Sequence, residues 1–222
     1  MKYYLPFICV VLGSFISAYC QISSPDYIDY GAEGMKAYLD GNFSKSLNYY
    51  KKGFESGDSL MCAAGLGELY YTGLGGCEQS YEKSFYYHKI AAKKGWPFSS
   101  YFLGLAYYGG EGCQKDYKEA RKWYKLAADT GFIPEAANNY GSMLFNGEGG
   151  PQDKETALQY WIKAAEGDVP EALYCVGLVY IYGDYMGLKL PKNISKGVDY
   201  LSKAAIAGFT PAAIKLDELK LK

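Results

Sequence analysis

An all-α array of stacked helix pairs is the fold this 222-residue sequence predicts, and three spacings predict it. A glycine row at Gly67, Gly104, Gly141 and Gly177 advances in steps of 37, 37 and 36. An aromatic row follows at Tyr49, Tyr87, Trp123, Tyr160 and Tyr200. Alanine pairs come next, at Ala91-Ala92, Ala127-Ala128, Ala164-Ala165 and Ala204-Ala205. A period of this length means one supersecondary unit repeated, each copy burying its apolar face on its neighbour. Arrays of that kind present an extended surface to a partner more often than a catalytic pocket.

The elements follow in chain order. Residues 1–20 read as a signal peptide: Lys2, then an almost wholly apolar run from Tyr3 to Ala18 that is short for a spanning helix. Ala18 and Cys20 place small residues at −3 and −1 of a cut before Gln21. Residues 21–58 form a first repeat, 59–95, 96–131, 132–167 and 168–209 four more, and 210–222 a closing helix with a polar end. Within a repeat, helix A is opened by a first-turn proline, at Pro97, Pro134, Pro170 and Pro211. Helix B is opened by a capping residue, at Asn42, Ser80, Asp116, Asp153 and Asn193. Helix B is closed by a glycine, at Gly57, Gly95, Gly131, Gly167 and Gly208, where a left-handed residue is wanted. The last A-to-B turn, 184–192, is longer than the others.

Composition narrows the function. A formal net charge of −1, with Lys and Glu scattered along the helices, lacks the clustered basic footprint that nucleic acid requires. No basic run suggests an anionic membrane, and after removal of the leader no segment is apolar enough to span one. Cleavage leaves Cys62, Cys77, Cys113 and Cys175, which allow three full pairings. Cys62 shares a small-residue slot with Ser99, Ala136, Ala172 and Ala213 and reads as an inert buried thiol. Cys77 and Cys113 are equivalent positions in adjacent repeats, about 10 Å apart by helix-packing distances, which is too far for a bridge. There is no metal-spaced His/Cys cluster and no phosphate-cradling glycine loop, so neither metal nor cofactor is expected.

Leu103-Gly104, Tyr107, Gly110, Asp116, Ala120, the run Trp123 to Ala128 and Gly131 resemble the Sel-one-like repeat (SLR) family, a branch of the tetratricopeptide-like helical arrays. The resemblance covers roughly residues 59 to 208; Gly34, Tyr38, Gly41, Phe43, Ser46, Tyr50 and Gly53 resemble the standard tetratricopeptide repeat instead. It implies a right-handed α-solenoid of about five helix pairs plus a C-terminal helix. It also implies a non-enzymatic scaffold or adaptor for a protein or peptide, of the kind bacteria export to the periplasm or beyond. The cysteine framework of the secreted, cysteine-rich members is absent, since their helix-B slots hold Ala92, Ala128 and Ala165 here.

Three motifs compete with that reading and lose to plainer ones. His88, the single histidine, is equivalent to Tyr50, Tyr124, Trp161 and Leu201, a bulky packing row. Ser80-Tyr81-Glu82-Lys83 fits the Ser-x-x-Lys of penicillin-recognising enzymes, and some SLR relatives are described as β-lactam-binding or as weak β-lactamases. Yet Ser80 sits in the capping row and the partner motifs are missing. Asn193-Ile194-Ser195 is a formal glycosylation sequon whose Asn is also a cap.

In tetratricopeptide-like arrays the A helices line the concave face. The stripe so defined reads Met61, Ala64, Glu68, Tyr71; Phe98, Tyr101, Leu105, Tyr108; Glu135, Asn138, Ser142, Phe145; Glu171, Tyr174, Leu178, Ile181. Tyr71, Tyr101, Tyr108, Asn138, Phe145, Tyr174, Leu178 and Ile181 are the expected partner-binding residues, tyrosine being suited to cover apolar surface while hydrogen-bonding. Gly67, Gly104, Gly141, Gly177, Trp123 and Tyr160 are expected to be structural.

Overall fold

The computed structural model describes residues 28–57 and 60–220, so the signal-peptide reading of residues 1–20 lies outside the described residues. Eleven α-helices occupy them: α1 Tyr30–Leu39, α2 Phe43–Glu55, α3 Leu60–Thr72, α4 Tyr81–Lys93, α5 Pro97–Gly109, α6 Tyr117–Ala128, α7 Pro134–Asn146, α8 Lys154–Glu166, α9 Pro170–Tyr182, α10 Ile194–Ile206 and α11 Thr210–Lys220. A two-stranded antiparallel ribbon, β1 Asp184–Tyr185 and β2 Leu188–Lys189, fills the long last turn. The chain divides into two compact units between α5 and α6, at Gln114 and Lys115. In each unit consecutive helices pack pairwise, as the predicted all-α repeat requires.

The capping row does what its chemistry predicts. Asn42, Ser80, Asp116, Asp153 and Asn193 each accept a backbone N–H from the first turn of the B helix they precede. Their own backbone N–H groups tie the turn shut: Asn42 donates to Ala37 O, Ser80 to Tyr70 O, Asp153 to Leu144 O and Asn193 to Tyr180 O, at 2.8–2.9 Å. The glutamine before the cap adds a side-chain bond, Gln79 Nε2 to Tyr71 O at 2.7 Å and Gln152 Nε2 to Phe145 O at 2.6 Å. Orphan carbonyls at the end of helix A are thereby satisfied by the start of helix B.

One stop signal falls a residue later than expected. Gly57, Gly95, Gly131 and Gly208 are left-handed, but Gly167 has φ −91 and the left-handed residue is Asp168, at φ 57. Counted from the alanine pair, Asp168 is the true equivalent of Gly95, since Asp168 N donates to Ala165 O as Gly95 N does to Ala92 O. Gly167 is small for another reason: a Cβ there would run into Pro134. An L-residue in this conformation is strained, so Asp168→Gly is expected to raise stability by about 0.5–1 kcal/mol, less a contribution from the looser unfolded chain. Urea unfolding of the two proteins measures it.

The core of the N-terminal unit is built around one ring. Tyr50 is buried with Tyr38, Leu47, Cys62, Leu66, Leu69 and Tyr70. Gly34 of α1 closes on its Cδ1–Cε1 side and Gly65 of α3 on its Cδ2–Cε2 side, and a Cβ at either would overlap ring carbons. The predicted packing row is observed throughout: Tyr50, His88, Tyr124, Trp161 and Leu201 are all buried. The aromatic row one residue earlier is not its equal. Tyr160 is buried, with its hydroxyl donating to Asp129 at 2.5 Å and its ring edge-on to Tyr140. Trp123, expected in the core, is only half-buried; its indole N–H donates to Glu119 and Lys122 lies over its ring. The deep ring of that helix is Tyr124, 2% exposed, whereas both residues of the equivalent pair Tyr160 and Trp161 are buried.

Candidate functional site

The predicted stripe divides when the side chains are placed. Three of its members are corrections. Tyr101 (4% exposed), Leu178 (1%) and Ile181 (4%) are buried and offer nothing to a partner. Ile181 is turned against α10, where it meets Gly197. Leu178 lies at the floor of a cleft beneath Tyr174, Tyr182, Tyr185 and Lys215, and Tyr101 packs edge-on to Phe102. Large groups on the A helices have here been drawn into packing.

The remaining members stay at least partly open. Tyr71 is half-buried, edge-on to Tyr81 and Phe102, and Tyr108 is exposed. In the C-terminal unit, Phe145 leans on Trp161 with Lys154 over its face. Asn138 is half-buried, its backbone carbonyl accepting the Trp161 indole N–H at 3.2 Å. Tyr174 is half-buried beside Phe209.

An apolar cleft lies within the N-terminal unit. Three successive A helices line it, with Met35 and Tyr38 from α1, Met61, Ala64, Gly65 and Glu68 from α3, and Phe98, Ser99 and Phe102 from α5. Trp96 joins from the turn before α5, and Tyr50 and His88 close it from the B helices. Its water-sized space is about 50 Å³. Met61, Ala64, Glu68 and Phe98 belong to the predicted stripe; Tyr38, four after Gly34 as Tyr71 is four after Gly67, is its counterpart in the first repeat, and nothing in the repeat spacing singles out Trp96 or Phe102.

Two polar groups sit in these apolar walls. The Glu68 carboxylate accepts from the Tyr38 hydroxyl, while its Oε2 is buried with no partner. Burial pushes its carboxyl up to about 7, and the Tyr38 bond offsets only part of that. A raised carboxyl subtracts stability as pH climbs from its ordinary value toward 7, because only the folded state still holds the proton. The His88 ring stacks on Phe102 at 4.3 Å and covers Gly67; its Nδ1 bonds Ser99 Oγ at 3.0 Å and its Nε2 is buried without a partner. Burial drives the imidazole down to about 3, so it stays neutral.

Catalytic motifs find no support in the geometry. The Ser80 hydroxyl caps α4 through Lys83 N and donates to Glu82, while the Lys83 ammonium lies over the Tyr70 ring at 5.1 Å. Cys62 is fully buried, its sulfur packed against Gly53, and among the described residues no two cysteines form a disulfide. Among the described residues no His/Cys/Asp/Glu group is placed to hold a metal, and no helix is long and apolar enough to cross a membrane.

The repeat carries through to comparison with known proteins. The Sel1 repeat profile matches residues 17–58, 60–96, 97–132, 134–169 and 170–209, five consecutive copies. The chain belongs to the Sel1 repeat family. Among solved structures it is similar to a protective antigen of uropathogenic Escherichia coli displaying an SLR fold, at 25% identity and TM-score 0.74 over 86% of this chain and 41% of that one. It is similar also to a Sel1 repeat protein from Oxalobacter formigenes, at 27% identity and TM-score 0.74 over 86% and 74%. A Sel1 repeat protein from Klebsiella pneumoniae, at 17% identity and TM-score 0.52 over 86% and 91%, shares the fold. The chain thus spans about two-fifths of the E. coli antigen. No curated protein matches it. Sel1 repeat proteins are generally protein-interaction scaffolds and typically not enzymes, and the solved neighbours named here are bacterial.

Proposed function

We propose that this Sel1 repeat protein is an exported bacterial scaffold, without catalytic activity of its own, that holds a protein or peptide partner against the A helices of its N-terminal unit. The observation that carries the reading is the cleft in which Tyr38 of α1, Met61 and Ala64 of α3, Phe98 of α5 and Trp96 from the turn before it surround one carboxylate. Apolar walls with a few convergent polar groups are what a recognition site needs. Export rests on the apolar leader at residues 3–18 and is favoured by the likeness to a bacterial protective antigen. The periplasm or the medium is the destination.

Panning the purified protein against a random peptide display library tests the reading. Enriched peptides are expected to lose binding by roughly tenfold or more on Phe98→Ala, the loss an interface anchor gives. Phe98 is half-buried, so the variant should melt close to the parent protein. Peptides that bind both proteins equally would place the partner surface elsewhere.

A further inference from the structure

The cleft of the N-terminal unit holds a carboxylate oxygen that no donor reaches. Glu68 Oε2 is buried and unpartnered, while no lysine or arginine is among the lining residues. A buried acceptor without a donor is costly, and a ligand that supplies one removes the cost. The rings of Tyr38, Trp96, Phe98 and Phe102 line it, and aromatic rings attract a cation to their faces. About 50 Å³ of water-sized room admits a few small groups, enough for an ammonium head but not for a nucleotide or a sugar.

We propose that this cleft recognises a primary ammonium, the side chain of a lysine on the partner protein, with the Glu68 carboxylate as its counter-ion and the aromatic walls against its methylenes. The assignment rests on the cleft being the partner site. It adds what the aromatic surface alone does not specify, a charge requirement. A quaternary ammonium has no N–H to give to Glu68 Oε2; a primary one has three.

The same arrangement makes recognition depend on pH. The ionisable groups lining the cleft around Glu68 are Tyr38 from α1, Tyr50 from α2 and His88 from α4; α5 and Trp96 contribute none. Burial raises Tyr50 and lowers His88, both away from neutrality. Glu68, held near 7, is the group that changes state there. Its charged form is the one that binds, so affinity rises with pH through that range.

The test uses the full protein, ¹⁵N-labelled, followed at the indole N–H resonance of Trp96. The probes are two capped tripeptides, acetyl-Gly-Lys-Gly-amide and its norleucine counterpart, identical but for the ammonium. At pH about 8 the lysine peptide is expected to shift the resonance saturably and to bind at least about fivefold more tightly than the norleucine peptide, the scale of a cation–aromatic and ion-pair preference. Lowering the pH from about 8 to about 6 should weaken it roughly tenfold, by protonation of Glu68. Glu68→Gln should erase the preference for lysine. Equal binding of the two peptides by the parent protein, or a preference that survives Glu68→Gln, overturns the proposal. Equal binding with a Trp96 shift still leaves an apolar partner cleft; no Trp96 shift from either peptide, with Phe98→Ala neutral toward panned peptides, removes both readings.

Discussion

Trp161→Ala is expected to cost roughly 3–5 kcal/mol of stability, while Trp123→Ala costs no more than about 2, although the two tryptophans look alike in sequence. Trp161 is buried, with its ring over Gly141, Phe145 against it and its N–H bonded to Asn138. Truncation there leaves a cavity and removes one of the hydrogen bonds to the Asn138 carbonyl, which still accepts from Ser142 Oγ. Trp123 lies half in solvent under Lys122. Tyr50→Ala should match Trp161→Ala, because Gly34 and Gly65 have no side chains with which to fill the void. Denaturant midpoints of the three variants decide whether the row beginning at Tyr50 or the row beginning at Tyr49 is the structural one.

The second large effect is loss of stability in acid, focused on His88. Its folded imidazole titrates near 3, well below its ordinary value of 6.5, because burial strips water from the imidazolium. The unfolded chain therefore takes up a proton that the folded chain refuses, and stability falls as pH drops below about 6.5. At 1.36 kcal/mol per unit the loss approaches roughly 4–5 kcal/mol by pH 3. Glu68 acts in the opposite sense, so comparison with a variant is needed to isolate the histidine. His88→Leu, which places here the residue found at Leu201, should remove the His88 acid loss while leaving the opposite contribution of Glu68. Unfolding curves for both proteins at pH 7.5, 5.5 and 3.5 measure the difference. A constant difference across that range would mean that His88 is not held neutral by burial.

What the sequence made legible follows from what repeats. Caps such as Ser80 and Asp153 and first-turn prolines such as Pro134 act locally, through residue types with few alternatives, and five copies confirm one another. Errors arose where two neighbouring residues both fitted. Gly167 and Asp168 compete for one stop position, and contact with Pro134 decides between them. Trp123 and Tyr124 compete for one core position, and the facing of α6 decides. The ribbon at Asp184–Lys189 was illegible because its tight turn places Met186 at φ 55 beside Gly187 at φ 80, where a hairpin of this kind ordinarily signals itself with Asn-Gly.

The candidate site was half legible. Periodicity puts Glu68 and Phe98 on the stripe, yet a count along helices cannot show that Glu68 Oε2 ends without a partner. Tyr101, Leu178 and Ile181 satisfy the same count and are nonetheless buried, because spacing fixes the face of a helix and not what lies over it. Trp96 belongs to no helix and so to no stripe.

Amide hydrogen exchange of the full protein, with and without a peptide enriched by panning, tests the central claim most directly. Slowed exchange should fall on Leu60–Thr72 and Pro97–Gly109, the A helices that bear Glu68 and Phe98, and leave Phe43–Glu55 as it was. Protection confined to Phe43–Glu55 and Tyr81–Lys93, or to helices beyond Lys115, with Leu60–Thr72 unchanged, would contradict a partner site in the N-terminal cleft.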